Sequence, residues 1–211
     1  MQTNDTKKMN LPVFEMFYSI QGEGEYVGMP AYFIRLAGCN VGCEFCDEKK
    51  AWNKNNSTPM DTEEIVLKIL LSKAKNVVIT GGEPTLYDLN ELTIELNKNS
   101  IKTFLETSGV NEIKGNFDHI TLSPKQNHLP LCNEDCFAFK IDSLKVVISS
   151  KADFLFAETM KNHIHQKEKV SLFLQPEWDK KDEIILEIIE YIKQNPEWNL
   201  SLQTHKYINV K

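Results

Sequence analysis

The chain lacks any apolar run long enough to cross a bilayer, which takes about 20 consecutive residues. It also lacks a basic run, and its formal charge is −6. That argues against a nucleic-acid surface, which needs clustered Lys and Arg, and leaves room for a small nucleotide-like ligand. The first residues, Met1-Gln2-Thr3-Asn4-Asp5-Thr6-Lys7-Lys8, are polar and carry no hydrophobic signal region. Cysteine is scarce, with five in 211 residues. Three of these are clustered, which fits a reducing cytoplasm better than a disulfide framework. No linker, repeat or low-complexity block interrupts the chain after residue 10. The expectation is a flexible lead over residues 1–10 and one domain over residues 11–211. The hydrophobic content of 41 % suffices for a sizeable core.

What is present is concentrated in Gly38-Cys39-Asn40-Val41-Gly42-Cys43-Glu44-Phe45-Cys46-Asp47. The spacing Cys-x3-Cys-x2-Cys supplies three thiolates. An electron-transfer [4Fe–4S] cluster takes four, so a three-cysteine site leaves one iron open to another ligand. Two other readings compete. Positions 39, 43 and 46 share one helical face and could be buried core thiols, but Gly38, Gly42 and Asn40 disfavour a helix there. A zinc site would need a fourth ligand, for which Cys132, Cys136 or a distant His is available.

Strand patterns fall at 32–36, 76–80, 102–106, 119–122, 143–148, 170–174 and 200–202. Helices are expected from Asp61, with Glu64 completing a capping-box pattern and Ile65, Val66, Ile69 and Leu70 as the apolar stripe. Others are expected near 88–98 and over 181–194, where Ile184, Ile185, Ile188, Ile189 and Ile192 oppose Glu183, Glu187 and Glu190. Strands alternating with helices imply a parallel sheet with crossovers. Polar punctuation recurs at the carboxyl ends of the strands, the rim where β/α barrels build their sites. The chain is short for eight units, so the fold expected is α/β, an incomplete TIM-like β/α barrel with about six parallel core strands.

The cysteine triplet together with Thr80-Gly81-Gly82-Glu83-Pro84 resembles the radical S-adenosylmethionine superfamily. Phe17-Tyr18-Ser19-Ile20-Gln21-Gly22-Glu23-Gly24, Gly28-Met29-Pro30, Phe33-Ile34-Arg35-Leu36 and the final Leu202-Gln203-Thr204-His205-Lys206-Tyr207 are similar to the signatures of the 7-carboxy-7-deazaguanine synthase family. The matches run from about Phe14 to Lys211. The resemblance implies a lyase that turns 6-carboxy-5,6,7,8-tetrahydropterin into 7-carboxy-7-deazaguanine with loss of ammonia, on the way to queuosine. It implies a [4Fe–4S] cluster on Cys39, Cys43 and Cys46, S-adenosylmethionine, Mg2+, a flavodoxin- or ferredoxin-type reductant and a homodimer.

The resemblance also assigns residues. Gly81 and Gly82 would let a ligand approach the backbone, and carbonyls there with Glu83 would accept from the cofactor's amino group. A tight strand-to-helix turn explains the same glycines. Glu106 and Ser108 would meet the ribose or methionine portion, or would simply end a strand in solvent. Ser123 and Pro124 would contact the cofactor, and Lys125 would meet its carboxylate. Gln175, followed by Pro176 and Glu177, suits the adenosine, as does the Phe45 backbone. On the substrate side, Arg35 offers a fork for the pterin carboxylate, the rival being a structural salt bridge. Glu23 and Gln21 suit the guanidine-like edge, with Ile20, Gly22, Thr80 and His205 alongside. The carboxylate of Lys211 would reach the pterin N–H groups, leaving its side chain dispensable, unless the tail simply frays.

One departure stands out. Where the family commonly has Asp-Thr after the last cysteine, this chain has Asp47-Glu48, so Glu48 is the candidate magnesium ligand. Cys132 and Cys136, expected in a loop over 126–137, match no family motif and read as free thiols. An activating enzyme for a glycyl-radical protein and a non-catalytic zinc module remain the rival readings.

Overall fold

A computed structural model describes residues 10–133 and 136–211. Apart from Asn10, the expected N-terminal lead lies outside the described residues. The sheet begins with β1 (Leu11–Ile20) and β2 (Pro30–Leu36), followed by the short β3 (Thr58–Met60). Then come α1 (Thr62–Ser72), β4 (Asn76–Gly81), α2 (Asn90–Lys98), β5 (Lys102–Thr107) and β6 (His119–Leu122). A short antiparallel strand pair, β7 (Cys132–Asn133) and β8 (Cys136–Phe137), precedes β9 (Ser143–Ile148). The chain ends with α3 (Ala152–Asn162), β10 (Ser171–Pro176), α4 (Lys181–Gln194), β11 (Trp198–Leu200) and α5 (Thr204–Tyr207).

The nine-stranded sheet has the order β11-β10-β9-β6-β5-β4-β2-β1-β3. From β2 to β11 every neighbouring pair is parallel, while β1 is antiparallel to both β2 and β3. The two edges, β3 and β11, do not pair, so the barrel is incomplete. The expected six parallel strands are β2, β4, β5, β6, β9 and β10, and the short β11 makes a seventh.

Alternation along each parallel strand sends one set of side chains outward into the helices and the other inward. Outward-facing Leu36, Val77, Ile79 and Leu105 pack with Ile65 and Ile69 of α1 and Leu92 and Leu96 of α2. On the other half, Leu144, Val146, Leu172 and Leu174 pack with Ala157 and Met160 of α3 and Ile184 and Ile188 of α4. Each such aliphatic side chain, fully buried, contributes about 1.5–3 kcal/mol. The inward set is mixed in polarity and surrounds the site.

Local signals account for most boundaries. Asp61 caps α1 by accepting from the Glu64 backbone N–H at 2.9 Å, while the Glu64 side chain turns to Lys68 instead of completing the box. Leu70, expected in the apolar stripe, is solvent-exposed, and the buried hydrophobic residues of α1 are Ile65, Val66 and Ile69. The last strand starts two residues earlier than its pattern, since Trp198 is buried there. Cys132 and Cys136, expected in a loop, lie in the paired strands β7 and β8.

Candidate active site at the carboxyl ends of the strands

The loop after β2 carries the three cysteines. Gly38 and Gly42 take positive φ (100° and 68°), a conformation that ordinary L-residues disfavour, so the segment wraps as a loop and not as a helix. All three thiols are free and half-buried. The Val41 backbone N–H donates to Cys39 Sγ at 3.4 Å and the Trp52 indole N–H to Cys46 Sγ at 3.3 Å. Burial pushes the Cys43 thiol up, opposed by the nearby Lys125 charge. Among the described residues, no three His, Cys, Asp or Glu side chains converge as a single metal ion requires. A cubane is wider than an ion and takes thiolates that share a space without meeting at a point. Cys39, Cys43 and Cys46 all line one cavity of about 300 Å³, beside N–H donors suited to thiolate sulfur, and so fit such a cluster. Cys132 and Cys136 do not line it.

The Gly81-Gly82-Glu83 segment packs against that loop. A Cβ on Gly82 would lie 2.4 Å from the Gly38 carbonyl oxygen and 2.8 Å from Cys39 Cβ, and one on Gly81 would lie 2.3 Å from the Leu36 carbonyl oxygen. These glycines therefore serve close backbone packing, with Gly82 N–H bonded to Leu36 and Glu83 N–H to Gly38. Glu83 is buried, and its carboxylate accepts from five protein donors: the N–H and hydroxyl of Thr85, the hydroxyl of Thr107, and the N–H and hydroxyl of Ser108. Five bonds fill a carboxylate's acceptor capacity. Glu83 thus welds the turn after β4 to the end of β5, and Ser108 is engaged there and not in solvent. Lys125 faces the cavity, its ammonium donating among the described residues to the Ser123 carbonyl and hydroxyl at 2.5 and 2.7 Å. Burial lowers its ammonium below the usual lysine range, with Cys43 pulling the other way.

On the opposite wall the two ends of the sequence meet. The Gly22 carbonyl accepts from both the N–H and the hydroxyl of Thr204, at 2.9 and 3.0 Å. His205 then packs closely against Gly22. Burial holds the His205 imidazole below its ordinary value, with Glu23 opposing. Arg35, paired in register with Glu15 across β1 and β2, donates through Nε to Glu15 at 3.0 Å. Among the described residues Glu15 is its one carboxylate partner besides whatever enters the cavity. Lys211 lies on the same face of β1. Its carbonyl accepts from Ser19 at 2.6 Å, its ammonium pairs with Glu15, and it stands 5.0 Å over the Phe17 ring. The Lys211 side chain is thus engaged with Glu15 and Phe17.

The cavity gathers Ile20, Gln21, Glu23, Thr80, Phe45, Glu48, Glu106, Ser123, Gln175, Pro176 and Glu177 with the residues above. Of the residues that the resemblance assigns to cofactor, substrate or metal, Pro124 lies elsewhere, on a smaller neighbouring cavity that also contains Phe45 and Lys125. Sequence reasoning missed Lys145, Gln203 as a side chain, Asp47 and Trp178. Lys145 had a signal: like Arg35, it is a charge inside an otherwise apolar strand, where an unpaired cation would be costly.

A sheet of this topology with a three-cysteine loop at its carboxyl rim defines the radical S-adenosylmethionine class, and the model of the Radical SAM superfamily matches residues 33–125. That span holds the cysteines, Gly81-Gly82-Glu83-Pro84 and Ser123-Pro124-Lys125. Within it, the chain belongs to the 7-carboxy-7-deazaguanine synthase family. It is 43 % identical over 201 residues to the 7-carboxy-7-deazaguanine synthase of Flavobacterium psychrophilum, covering 95 % of this chain and 92 % of that one. Identity to the Escherichia coli K12 protein of the same name is 34 % over 229 residues, covering 96 % and 100 %. The crystal structure of QueE from Escherichia coli is similar with a TM-score of 0.80 at 32 % identity, over 93 % of this chain and 95 % of that one.

Proposed function

We propose that this chain converts 6-carboxy-5,6,7,8-tetrahydropterin into 7-carboxy-7-deazaguanine with loss of ammonia, a carbon–nitrogen lyase step in the formation of queuosine and related 7-deazapurines. One observation carries the reading: motifs from both ends of the sequence, Gln21 to Glu23 and Gln203 to His205, face the cysteine loop across a single cavity. A [4Fe–4S] cluster on Cys39, Cys43 and Cys46, with S-adenosylmethionine on its open iron, would supply hydrogen-atom abstraction from the substrate.

The protein's part is to bind, orient and exclude water. Lys125 is placed to meet the methionine carboxylate, and the Gly82 carbonyl to meet the amino group, with Glu83 supporting that backbone from behind. Phe45 and Gln175 to Glu177 line the adenosine end. Arg35, steadied at Nε by Glu15, presents its remaining N–H groups to the pterin carboxylate. Glu23 accepts from the guanidine-like edge, beside Gln21 and the neutral His205. Glu48 stands beside the loop as a hard oxygen donor for Mg2+. The proposal extends to residues 11–211 acting as one domain, to a homodimer in the cytoplasm, and to a flavodoxin- or ferredoxin-type protein as electron donor. No described helix is long and apolar enough to cross a membrane.

The test is an anaerobic incubation with reductant, S-adenosylmethionine and the carboxytetrahydropterin, scored by product mass. The deazaguanine mass is expected. Cleavage of S-adenosylmethionine with the pterin recovered unchanged would overturn the substrate assignment.

A further inference from the structure

In β9, Ser143, Lys145 and Val147 alternate toward the inner face, and Leu144, Val146 and Ile148 toward the helices. Lys145 is buried, 4 % exposed, yet it lines the cavity. Its ammonium donates to Glu23 at 2.5 Å and to Glu106 at 2.9 Å. Glu23 belongs to the loop after β1, and Glu106 to the end of β5, two positions across the sheet from β9. Each carboxylate has its other oxygen on an amide: Glu23 accepts from Gln203 at 2.9 Å and Glu106 from Gln21 at 3.5 Å.

We propose that Lys145 is a positioning residue for the pterin: one buried ammonium pins Glu23 as an anionic acceptor toward the substrate and ties it to Glu106 on the cofactor side. The inference rests on the assignment of a pterin substrate. Geometry makes Lys145 unsuited to proton transfer, because both carboxylates hold it. Burial alone would lower its ammonium, and the charges of Glu106 and Glu23 more than reverse that, leaving it well above the ordinary lysine range. The same contact acts on Glu23. Burial raises its carboxyl, and the charge and hydrogen bond of Lys145, with the bond from Gln203, bring it down to about 2. Without the lysine, Glu23 is left with burial, with the negative charges of Glu106 and Asp47, and with His205 and the Gln203 amide, which Asp47 shares. A carboxylate in that setting titrates upward and loses its acceptor role as it protonates.

The test uses equilibrium binding of 6-carboxypterin, followed by its own fluorescence on the unreduced holoenzyme, between about pH 6 and about pH 8. Wild type and Lys145→Arg are expected to hold a Kd that changes less than about twofold. Lys145→Met is expected to weaken as pH falls, approaching about tenfold per pH unit, the limit for one proton. Because Lys145→Met confronts two carboxylates, the same expectation is tested on Lys145→Met/Glu106→Gln, which retains one. Adding Glu23→Gln to either should flatten the profile, marking Glu23 and not His205 as the titrating group. A wild-type-like profile in folded Lys145→Met or in the double variant overturns the role of Lys145. Failure of the wild type itself to bind the pterin overturns the substrate reading, a separate outcome.

Discussion

Gly22 and His205, far apart in sequence, are in such close contact that a methyl group on Gly22 would lie 2.2 Å from His205 Nδ1. Gly22→Ala therefore forces His205 and the Thr204 bonds away from the cavity wall. The expected result is a loss of about tenfold or more in kcat/KM, equivalent to about 1.4 kcal/mol, with the unfolding midpoint little changed. Unaltered kinetics would show that this contact does not shape the pocket.

Cys39, Cys43 and Cys46 share the cavity that Cys132 and Cys136 do not reach. Replacing any one of the first three by Ala should abolish reductive cleavage of S-adenosylmethionine. Iron and sulfide content, measured anaerobically, should be unchanged in Cys132→Ala and Cys136→Ala. Cluster loss in either of these two would mean the ligand set is wrong.

Glu48 lies on the same wall. Glu48→Ala should raise the magnesium concentration needed for half-maximal rate or weaken the dependence altogether. Superimposable magnesium titrations would remove Glu48 from the metal site.

Glu83 answers five donors at once. Glu83→Gln has one oxygen for them and adds an N–H₂ group that must face other donors. Leaving buried donors unpaired costs about 1–3 kcal/mol each, so denaturant unfolding should show a loss of at least about 2 kcal/mol. A stability equal to wild type would mean the network relaxes freely.

Acid stability follows from Glu23. Its folded pKa, about 2, lies below its ordinary 4.5. The unfolded chain therefore takes up the proton first. The Glu23 contribution is complete above about 4.5 and is lost as pH falls toward 2. The stability difference between wild type and Glu23→Gln should accordingly narrow over that window, and a difference that stays constant with pH would contradict the pairing.

The parallel strands were readable because they are buried on both faces and so appear as short apolar runs, as in Val77-Val78-Ile79 and Leu144-Lys145-Val146-Val147-Ile148. The α4 pattern was readable from its isoleucines. β1 escaped because it lies at the antiparallel end of the sheet, where most of its residues are only half-buried. α3 escaped because no side chain caps its start and it buries only Ala157 and Met160. The rim motifs pointed to the pocket, but the partners of Lys145 did not show, since nothing local in Leu144-Lys145-Val146 says that Glu23 and Glu106 converge on it. Glu83 looked like a ligand for the same reason: its three partner groups on Thr107 and Ser108 come from the end of the next strand.

The docking of Thr204 and His205 onto Gly22 has a consequence for biosynthesis. All nine strands have been made by Leu200, and the iron-binding loop far earlier. The wall that begins with Gly22 and Glu23 is completed only by residues after Leu200. The sheet and the cysteine loop therefore precede Gln203 and His205 in synthesis, and the scaffold can assemble before these side chains dock on the loop after β1. A chain stopped between Leu200 and Thr204 would keep the cysteine loop and Arg35 and lose the side chain of His205, which faces them across the cavity.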